Sequence, residues 1–169
     1  FWRVVALAVA AVAIVGTVTD ESGALAVGNQ DVDVPADAMI RLERTSCYGP
    51  CPVYTVSVDA HGVVTYDGEK LVRVTGRRTA RISRSAVARL LAIAERIQFF
   101  ELRDSYTALV TDLPTKYVTV TVNGRTKRIV DYVGAPDPLI QFEREIDATV
   151  NTKRWVFLDV EALEELSTS

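Results

Sequence analysis

The sequence predicts an α+β fold: an antiparallel sheet of about five to six strands, arranged as a meander plus a hairpin, with two main helices packed on one face. Three observations predict it. Short segments that alternate apolar and polar residues follow one another closely and are separated by turn residues. Asn123 and Gly124, a pair typical of a tight hairpin, lie between two of these segments. Two longer segments have apolar residues at helical spacing, and this order of elements argues against a parallel doubly wound sheet.

The length and composition are those of one globular domain behind a separate apolar segment. The chain has 169 residues, of which 49% are hydrophobic and 24% charged, and this is enough apolar material for one core. A net charge of -3 gives no basis for a nucleic-acid partner, because duplex binding needs a concentrated basic face. Several arginines lie between Arg73 and Arg96, but they are spread over different predicted elements and are more typical of a solvated surface than of an anion-binding face.

Residues 1–26 are predicted to be a signal peptide or an N-terminal membrane anchor. The apolar run Val4–Val15 follows Arg3, and the Ala-Leu-Ala triplet at 24–26 has small residues at the spacing that signal peptidase accepts. If the segment is not cleaved, residues 4–18 attach the chain to the membrane. In either case the domain is predicted to be extracytoplasmic: secreted, periplasmic or anchored to the outer face of the cell membrane.

The rest of the chain is predicted to contain one folded domain. Its first half is a meander, in which period-two alternation indicates strands and short polar or Gly-containing stretches indicate turns. The predicted segments are a flexible linker over 27–38, the α+β domain over 39–157 and an acidic tail, with some helical character, over 158–169. The predicted meander strands are Met39–Thr45, Val53–Val58, Val63–Tyr66 and Leu71–Thr75, with tight turns at Ala60–Gly62 and Asp67–Gly68.

The second half is predicted to contain two helices around one hairpin. Ser83 or Ser85 is a suitable N-cap for the first helix. Asp137 is predicted to cap the second helix, with Pro138 at its first position. The predicted hairpin strands are Tyr117–Val122 and Lys127–Asp131. The predicted buried stripes are Val87, Leu90, Leu91, Ala94 and Ile97 on the first helix and Leu139, Phe142, Ile146 and Val150 on the second. After the second helix, Trp155, Val156 and Phe157 are predicted to pack against the core.

Cys47 and Cys51 are predicted to form a disulfide in the turn between the first two strands. The intervening Gly-Pro turn allows them to approach, and in an exported chain with two cysteines they are expected to be bonded. The alternative is a thiol-disulfide redox enzyme that uses this pair. The three intervening residues and the strand after Pro52 count against it, because thioredoxin-type sites have two and lie at a helix N-terminus. No metal or cofactor is predicted, since the single histidine, His61, lies in a turn and a closed zinc site needs four ligands.

A second enzymatic alternative is a hydrolase that uses Asp112 and Asp131. Two carboxyl groups divide acid and base roles when their surroundings separate their pKa values. Both residues are equally well explained as turn residues, because Asp112 lies in a Thr- and Pro-containing loop and Asp131 precedes a Gly-Ala-Pro segment. The sequence contains no complete catalytic set and no Gly-rich phosphate loop, so a non-enzymatic role is preferred.

Three motifs carry a resemblance to a known family. They are Cys47-Tyr48-Gly49-Pro50-Cys51-Pro52-Val53-Tyr54, Asp112-Leu113-Pro114 and Asp131-Tyr132-Val133-Gly134-Ala135-Pro136. Together they make the stretch from about Met39 to Asp147 resemble the bacterial domain of unknown function family DUF6438. The resemblance implies the fold and an exported or anchored setting, and it implies no particular reaction.

The preferred function is a non-enzymatic module, stabilised by a short disulfide, that binds an unknown protein or cell-envelope ligand. Aromatic side chains beside a rigid turn are suitable anchors because they lose little conformational entropy on binding. The candidate binding residues are Tyr48, Tyr54, Asp112, Asp131 and Tyr132.

Overall fold

The computed structural model describes residues 33–157, and this part of the chain forms one seven-stranded sheet and three helices. The strands are β1 (Met39–Arg44), β2 (Val53–Asp59), β3 (Val63–Lys70), β4 (Gly76–Arg81), β5 (Ser105–Tyr106), β6 (Lys116–Val122) and β7 (Arg125–Asp131), and the helices are α1 (Arg84–Arg96), α2 (Asp137–Val150) and α3 (Lys153–Val156). The order across the sheet is β4-β3-β2-β1-β6-β7-β5. No helix within residues 33–157 has the length and apolarity needed to cross a membrane. The predicted signal or anchor over 1–26, most of the linker and the tail over 158–169 lie outside the described residues.

The sheet has one buried face and one polar face. β1 lies at its centre and is antiparallel to β2 on one side and to β6 on the other. On the buried face, alternate strand residues such as Leu42, Val56 and Val118 have no exposed surface. The uncovered face, as we call the other side, presents Arg41, Glu43, Thr55, Ser57, Thr65, Asp67, Arg77, Thr79, Tyr117, Thr119 and Arg128. The period-two alternation of the sequence follows from this difference between the two faces.

Both long helices pack on the buried face, as predicted. The Ser83 hydroxyl accepts a hydrogen bond from a backbone N–H in the first turn of α1 (3.1 Å), so Ser83 is its N-cap. α2 begins at Asp137, with Pro138 as its second residue, so Pro136 takes the N-cap position that was predicted for Asp137. The predicted apolar stripes of both helices are buried or half-buried in a single core.

The connection between β3 and β4 differs from the prediction. Leu71–Thr75, predicted as a strand, is this connection, and Asp67–Gly68, predicted as a turn, lies within β3. The backbone N–H groups of Arg73 and Val74 donate to two carbonyl oxygens of α3 (3.2 and 2.9 Å). The segment therefore bonds to the C-terminal end of the domain instead of to a neighbouring strand, which local sequence patterns do not reveal.

Gly68 is required by close packing within β3. A Cβ atom at this position would lie 2.3 Å from the carbonyl oxygen of Val74 and 2.5 Å from the hydroxyl of Tyr66. Gly68→Ala is expected to lower the free energy of unfolding by about 1–3 kcal/mol, the usual cost of overpacking. Gly49→Ala is the control, because its Cβ would meet only the Cys47 sulfur, at 3.6 Å. Urea unfolding followed by circular dichroism measures both variants, and equal stabilities would contradict this reading.

The sheet is larger than predicted and is not entirely antiparallel. β5 has two residues and pairs in parallel with β7. A strand of two residues shows no alternation, so sequence patterns do not detect it. The α+β class is confirmed, and the prediction of an antiparallel sheet of about five to six strands is corrected to a mixed, mostly antiparallel sheet of seven strands in the described part of the chain.

Candidate functional site

The cysteine loop, residues 45–52, connects β1 to β2 and contains the predicted disulfide. Cys47 and Cys51 are bonded, with their Cα atoms 5.7 Å apart. The chain turns back between them, and the Cys51 N–H donates to the Gly49 carbonyl oxygen (2.9 Å). The side chain of Tyr48 is 89% exposed. The disulfide therefore holds a solvent-facing tyrosine on a short, constrained turn.

A second loop, residues 107–115 between β5 and β6, lies against the cysteine loop. The Tyr48 N–H donates to the Asp112 carbonyl oxygen (3.1 Å), and Thr45 and Thr115 form two further hydrogen bonds (3.0 and 2.9 Å). Asp112 has a φ of 76°, a left-handed conformation that aspartate tolerates better than most residues. Its exposed carboxylate accepts a hydrogen bond from the preceding threonine hydroxyl (2.8 Å). Asp112 thus sets the shape of the loop that meets Tyr48.

Tyr132 holds the 107–115 loop from the other side. Its hydroxyl donates to the carbonyl oxygen of Val110 (2.8 Å) and accepts from the N–H of Leu113 (3.5 Å). The side chain is half-buried just after the end of β7. The three sequence motifs therefore meet at one end of the sheet, where Tyr48 is hydrogen-bonded to Asp112 and Tyr132 is hydrogen-bonded to Val110 and Leu113 of the same loop.

Large apolar side chains are exposed on these two connected loops. Tyr48 and Leu109 are almost entirely exposed, and Val110 and Leu113 are each 44% exposed. We call these four residues the motif-end surface. Elsewhere in residues 33–157, the exposed large apolar side chains are those of Met39, Leu71 and Phe157. Grouped exposed apolar side chains are typical of interaction sites, whereas single ones are common on any protein.

A cleft of about 470 Å³ opens beside the motif-end surface. Cys51 and Pro52 of the cysteine loop and Pro114 of the 107–115 loop form one side of it. Tyr54 lines the cleft but is only 4% exposed, so it forms part of the wall. This volume is within the range of small-ligand sites. The remaining lining residues are Arg44, Asp147, Ala148, Asn151, Thr152, Lys153, Val156 and Phe157.

Asp147 organises the polar wall of the cleft. Its carboxylate accepts hydrogen bonds from Arg44 (3.2 and 2.7 Å), from the Tyr54 hydroxyl (2.9 Å) and from the Thr152 hydroxyl (2.9 Å). Burial and the negative charge of Asp147 raise the pKa of Tyr54 well above its ordinary value, so its hydroxyl remains a donor. Both carboxylate oxygens of Asp147 are therefore held in place by hydrogen bonds from the surrounding side chains.

Two further carboxyl groups are buried between the sheet and α2. The Lys116 ammonium contacts the carboxylate of Asp131 and lies 3.0 Å from that of Glu143, and these two side chains are 3% and 2% exposed. Burial raises the pKa of Glu143 to about 7, and Lys116 only partly offsets this effect. Within the described residues, the Glu143 Oε1 atom has no hydrogen-bond partner. We call these three residues the buried acid cluster.

The candidate residues proposed from the sequence thus have different surroundings. Tyr48 belongs to the motif-end surface, and Asp112 and Tyr132 hold the loop that carries its other three residues. Tyr54 lines the cleft wall, and Asp131 belongs to the buried acid cluster. Asp112 and Asp131, the pair proposed for hydrolysis, make separate contacts: one carboxylate is exposed on a loop and the other is bound to Lys116. In the described part of the chain, no group of three or more His, Cys, Asp or Glu side chains is arranged to hold a metal ion.

Sequence reasoning missed four charged residues that lie next to the cysteine loop and the 107–115 loop or pair with residues there. They are Arg44, Lys116, Glu143 and Asp147. Glu143 did leave a signal, because it falls four residues after Leu139 and three before Ile146, within the apolar stripe of α2. An acidic residue at such a position indicates a buried carboxyl group with a cationic partner, although its identity depends on the fold.

Removal of the disulfide is expected to have a moderate effect. Replacing both cysteines with serine should lower the free energy of unfolding by about 2 kcal/mol, because the bond closes only a short loop in the unfolded chain. Urea unfolding of the variant and the wild type measures this difference.

The disulfide is expected to resist reduction in glutathione or dithiol buffers down to about −300 mV. Easy reduction, near the potentials of disulfide exchange catalysts, would instead favour the redox-enzyme alternative.

Comparison with known proteins identifies a family for the chain. No curated protein matches its sequence. The model of a family described as a domain of unknown function, DUF6438, matches residues 38–150. This match contains all strands of the sheet, both long helices and the three motifs, and it covers more than half of the chain. The chain therefore belongs to the DUF6438 family of domains of unknown function.

Proposed function

We propose that the domain is a binding module on the outer side of the cell membrane and that it binds a partner protein through the motif-end surface. The observation that supports this proposal is the grouping of exposed Tyr48, Leu109, Val110 and Leu113 on two loops that are fastened to each other. Because the disulfide and the Tyr132 hydroxyl already restrain these loops, they lose little conformational entropy when a partner binds.

The adjoining cleft supports the same function. The cysteine loop and the 107–115 loop contribute to both the cleft and the motif-end surface, so a partner segment bound to the surface reaches the cleft. Pro52, Pro114 and Val156 offer apolar contact there, and Lys153 adds an exposed positive charge at its edge. A partner side chain that enters the cleft would act as an anchor residue, the type that contributes most of the affinity in protein interfaces.

The extracytoplasmic location is supported by two features of the chain. The apolar run Val4–Val15 behind Arg3 has the composition of an export signal. The disulfide between Cys47 and Cys51 is of a kind that persists in oxidising compartments and is rare in the cytosol. A protein of the cell envelope is therefore the expected class of partner.

Photocrosslinking in the cells that naturally produce the protein tests this proposal. A benzophenone amino acid replaces Leu109 in the full chain, and irradiation is expected to give one crosslinked species of defined mass. The same probe at Leu71 is the control, because Leu71 is also exposed but lies in the connection between β3 and β4. Equal crosslinking from both positions, or none from position 109, would refute the proposal.

A double substitution separates binding from folding. Tyr48→Ser with Leu113→Ser is expected to abolish the crosslink from position 109, since it removes two of the four side chains of the motif-end surface. Both side chains are exposed, so the free energy of unfolding should change by less than about 1 kcal/mol. A crosslink that persists in this variant would show that the partner binds elsewhere.

A further inference from the structure

β4 is an exposed edge strand. It pairs with β3 on one side and with no other strand of the described residues. All of its residues except Ala80 are exposed. At the other edge of the sheet, β5 has only two residues. β4 is therefore the one long edge of the sheet formed by residues 33–157, and such an edge offers unpaired backbone groups to another chain.

The register identifies which backbone groups of β4 point away from β3. The Ile82 N–H donates to the Gly62 carbonyl oxygen (2.9 Å) just beyond the paired residues. Hydrogen-bonded and non-hydrogen-bonded pairs alternate in an antiparallel ladder, so Ala80 and Arg78 are also bonded to β3. The residues whose N–H and C=O groups point away from β3 are then Arg77, Thr79 and Arg81. The Arg77 carbonyl oxygen is not bonded to β3 in this register and accepts a hydrogen bond from the Arg78 guanidinium instead (2.7 Å).

The same edge is positively charged. Arg77, Arg78 and Arg81 form no ion pair with any residue in the described part of the chain, although Asp67 lies opposite Arg77 in the ladder. A second copy of β4 would bring arginines against arginines, and like charges on neighbouring strands are unfavourable. The chain as a whole has a net charge of -3, so an attraction for acidic segments is local to this edge.

We propose that β4 binds an extended acidic segment of a partner protein as an additional strand of the sheet. The outward N–H and C=O groups of Arg77, Thr79 and Arg81 would form the ladder, as in other cases of strand addition. Arg77 and Arg81 project on the uncovered face with Thr79 between them, so they fit acidic side chains four residues apart with a small residue between. This surface uses none of the motif-end residues and is independent of the function proposed for them.

Hydrogen exchange with a defined peptide tests the proposal. The probe is acetyl-Thr-Glu-Val-Thr-Val-Glu-Thr-amide, added to the full chain at physiological salt and followed by NMR. Binding is expected to protect the amides of Arg77, Thr79 and Arg81, whereas those of Arg78 and Ala80, already bonded to β3, should change little. The same peptide with glutamine in place of glutamate is expected to bind about tenfold more weakly, since it cannot form the two ion pairs.

Two variants separate backbone pairing from charge. Thr79→Pro removes one outward N–H, which an edge strand tolerates, and is expected to weaken binding by about tenfold or more. Arg77→Glu with Arg81→Glu is expected to have an effect of about the same size, because attraction becomes repulsion. Arg89→Glu with Arg144→Glu, at exposed helix positions, makes the same change in net charge and should leave affinity unchanged. If Thr79→Pro does not fold, the paired glutamate variants decide the question.

Three results would overturn the proposal. One is the absence of protection at Arg77, Thr79 and Arg81 when peptide is in large excess. Another is equal affinity of the peptide for the wild type and for Arg77→Glu with Arg81→Glu. The third is self-association of the chain that protects the same amides without peptide, which would make β4 a contact between copies.

Discussion

Lys116→Met is expected to lower the free energy of unfolding by about 3–5 kcal/mol near pH 8, the usual cost of removing one partner from a buried ion pair. The Lys116 ammonium is the cation shared by Asp131 and Glu143, whose side chains are almost completely buried. Without it, these two buried carboxyl groups lose the cation that they share. Near pH 5 the loss should be smaller, because Glu143, with a pKa of about 7, is already protonated there. Urea unfolding at the two pH values measures this difference.

Lys127→Met is the matched control for this substitution. Lys127 Nζ also interacts with several oxygens, namely the carbonyls of Phe100 (3.2 Å) and Leu102 (2.6 Å) and the carboxylate of Asp104 (2.8 Å). Since Asp104 is 86% exposed, water solvates its charge when the lysine is absent. The loss should be about 1–2 kcal/mol and nearly independent of pH. Equal losses for the two lysine variants would mean that the carboxyl groups near Lys116 are solvated in solution.

Glu143→Gln is expected to stabilise the domain above pH 7 and to change its stability little at low pH. Burial raises the pKa of Glu143 from an ordinary value of 4.5 to about 7. The stability contributed by the protonated group is fully present below pH 4.5 and is lost as the pH rises through 7. The shift in pKa corresponds to a decrease of about 3 kcal/mol in the free energy of unfolding. Glutamine is neutral throughout and still accepts a hydrogen bond from Lys116, so the variant should lack this decrease.

Burial and the charges around Glu143 together determine the size of this effect. Lys116 lowers the pKa of Glu143 and Asp131 raises it, while the loss of solvent is the largest influence. Glu145→Gln, on the exposed side of the same helix, is the control and should leave the pH dependence unchanged. Thermal unfolding monitored from about pH 4.5 to about pH 8 tests both variants. A Glu143→Gln profile parallel to that of the wild type would show that folding does not raise the pKa of Glu143.

Local patterns in the sequence were sufficient to predict most of the fold. The hairpin at Asn123 and Gly124, the start of α1 at Ser83 and the stripe of α2 all depend on contacts between near neighbours in the chain. The errors occurred where distant residues decide the structure. Gly68 was interpreted as a turn residue because glycine permits turns, whereas its real requirement is the close approach of Tyr66 and Val74.

The candidate site was less predictable than the fold. The sequence indicated that Tyr48, Asp112 and Tyr132 belong to loops, but the hydrogen bonds that join these loops are tertiary contacts. It also presented Asp131 and Tyr54 as turn and surface candidates, although their positions in the helix-facing alternation of β7 and β2 make them buried. Of the charged residues near these loops, Arg44, Lys116 and Asp147 carry no local signal, and the position of Glu143 in the stripe of α2 does not identify its partner.

The last residues of the domain determine when folding finishes. Trp155 stacks on Tyr66 at 4.7 Å, and α3 accepts the N–H groups of the connection between β3 and β4. The chain is synthesised from its N-terminus, so the packing around Tyr66 remains incomplete until residues 153–156 have emerged. A chain that stops after Val150, where the family match ends, would lack the ring that stacks on Tyr66 and the carbonyl oxygens that accept from Arg73 and Val74. Proteases that remove unfolded chains would therefore degrade truncated products while sparing complete ones.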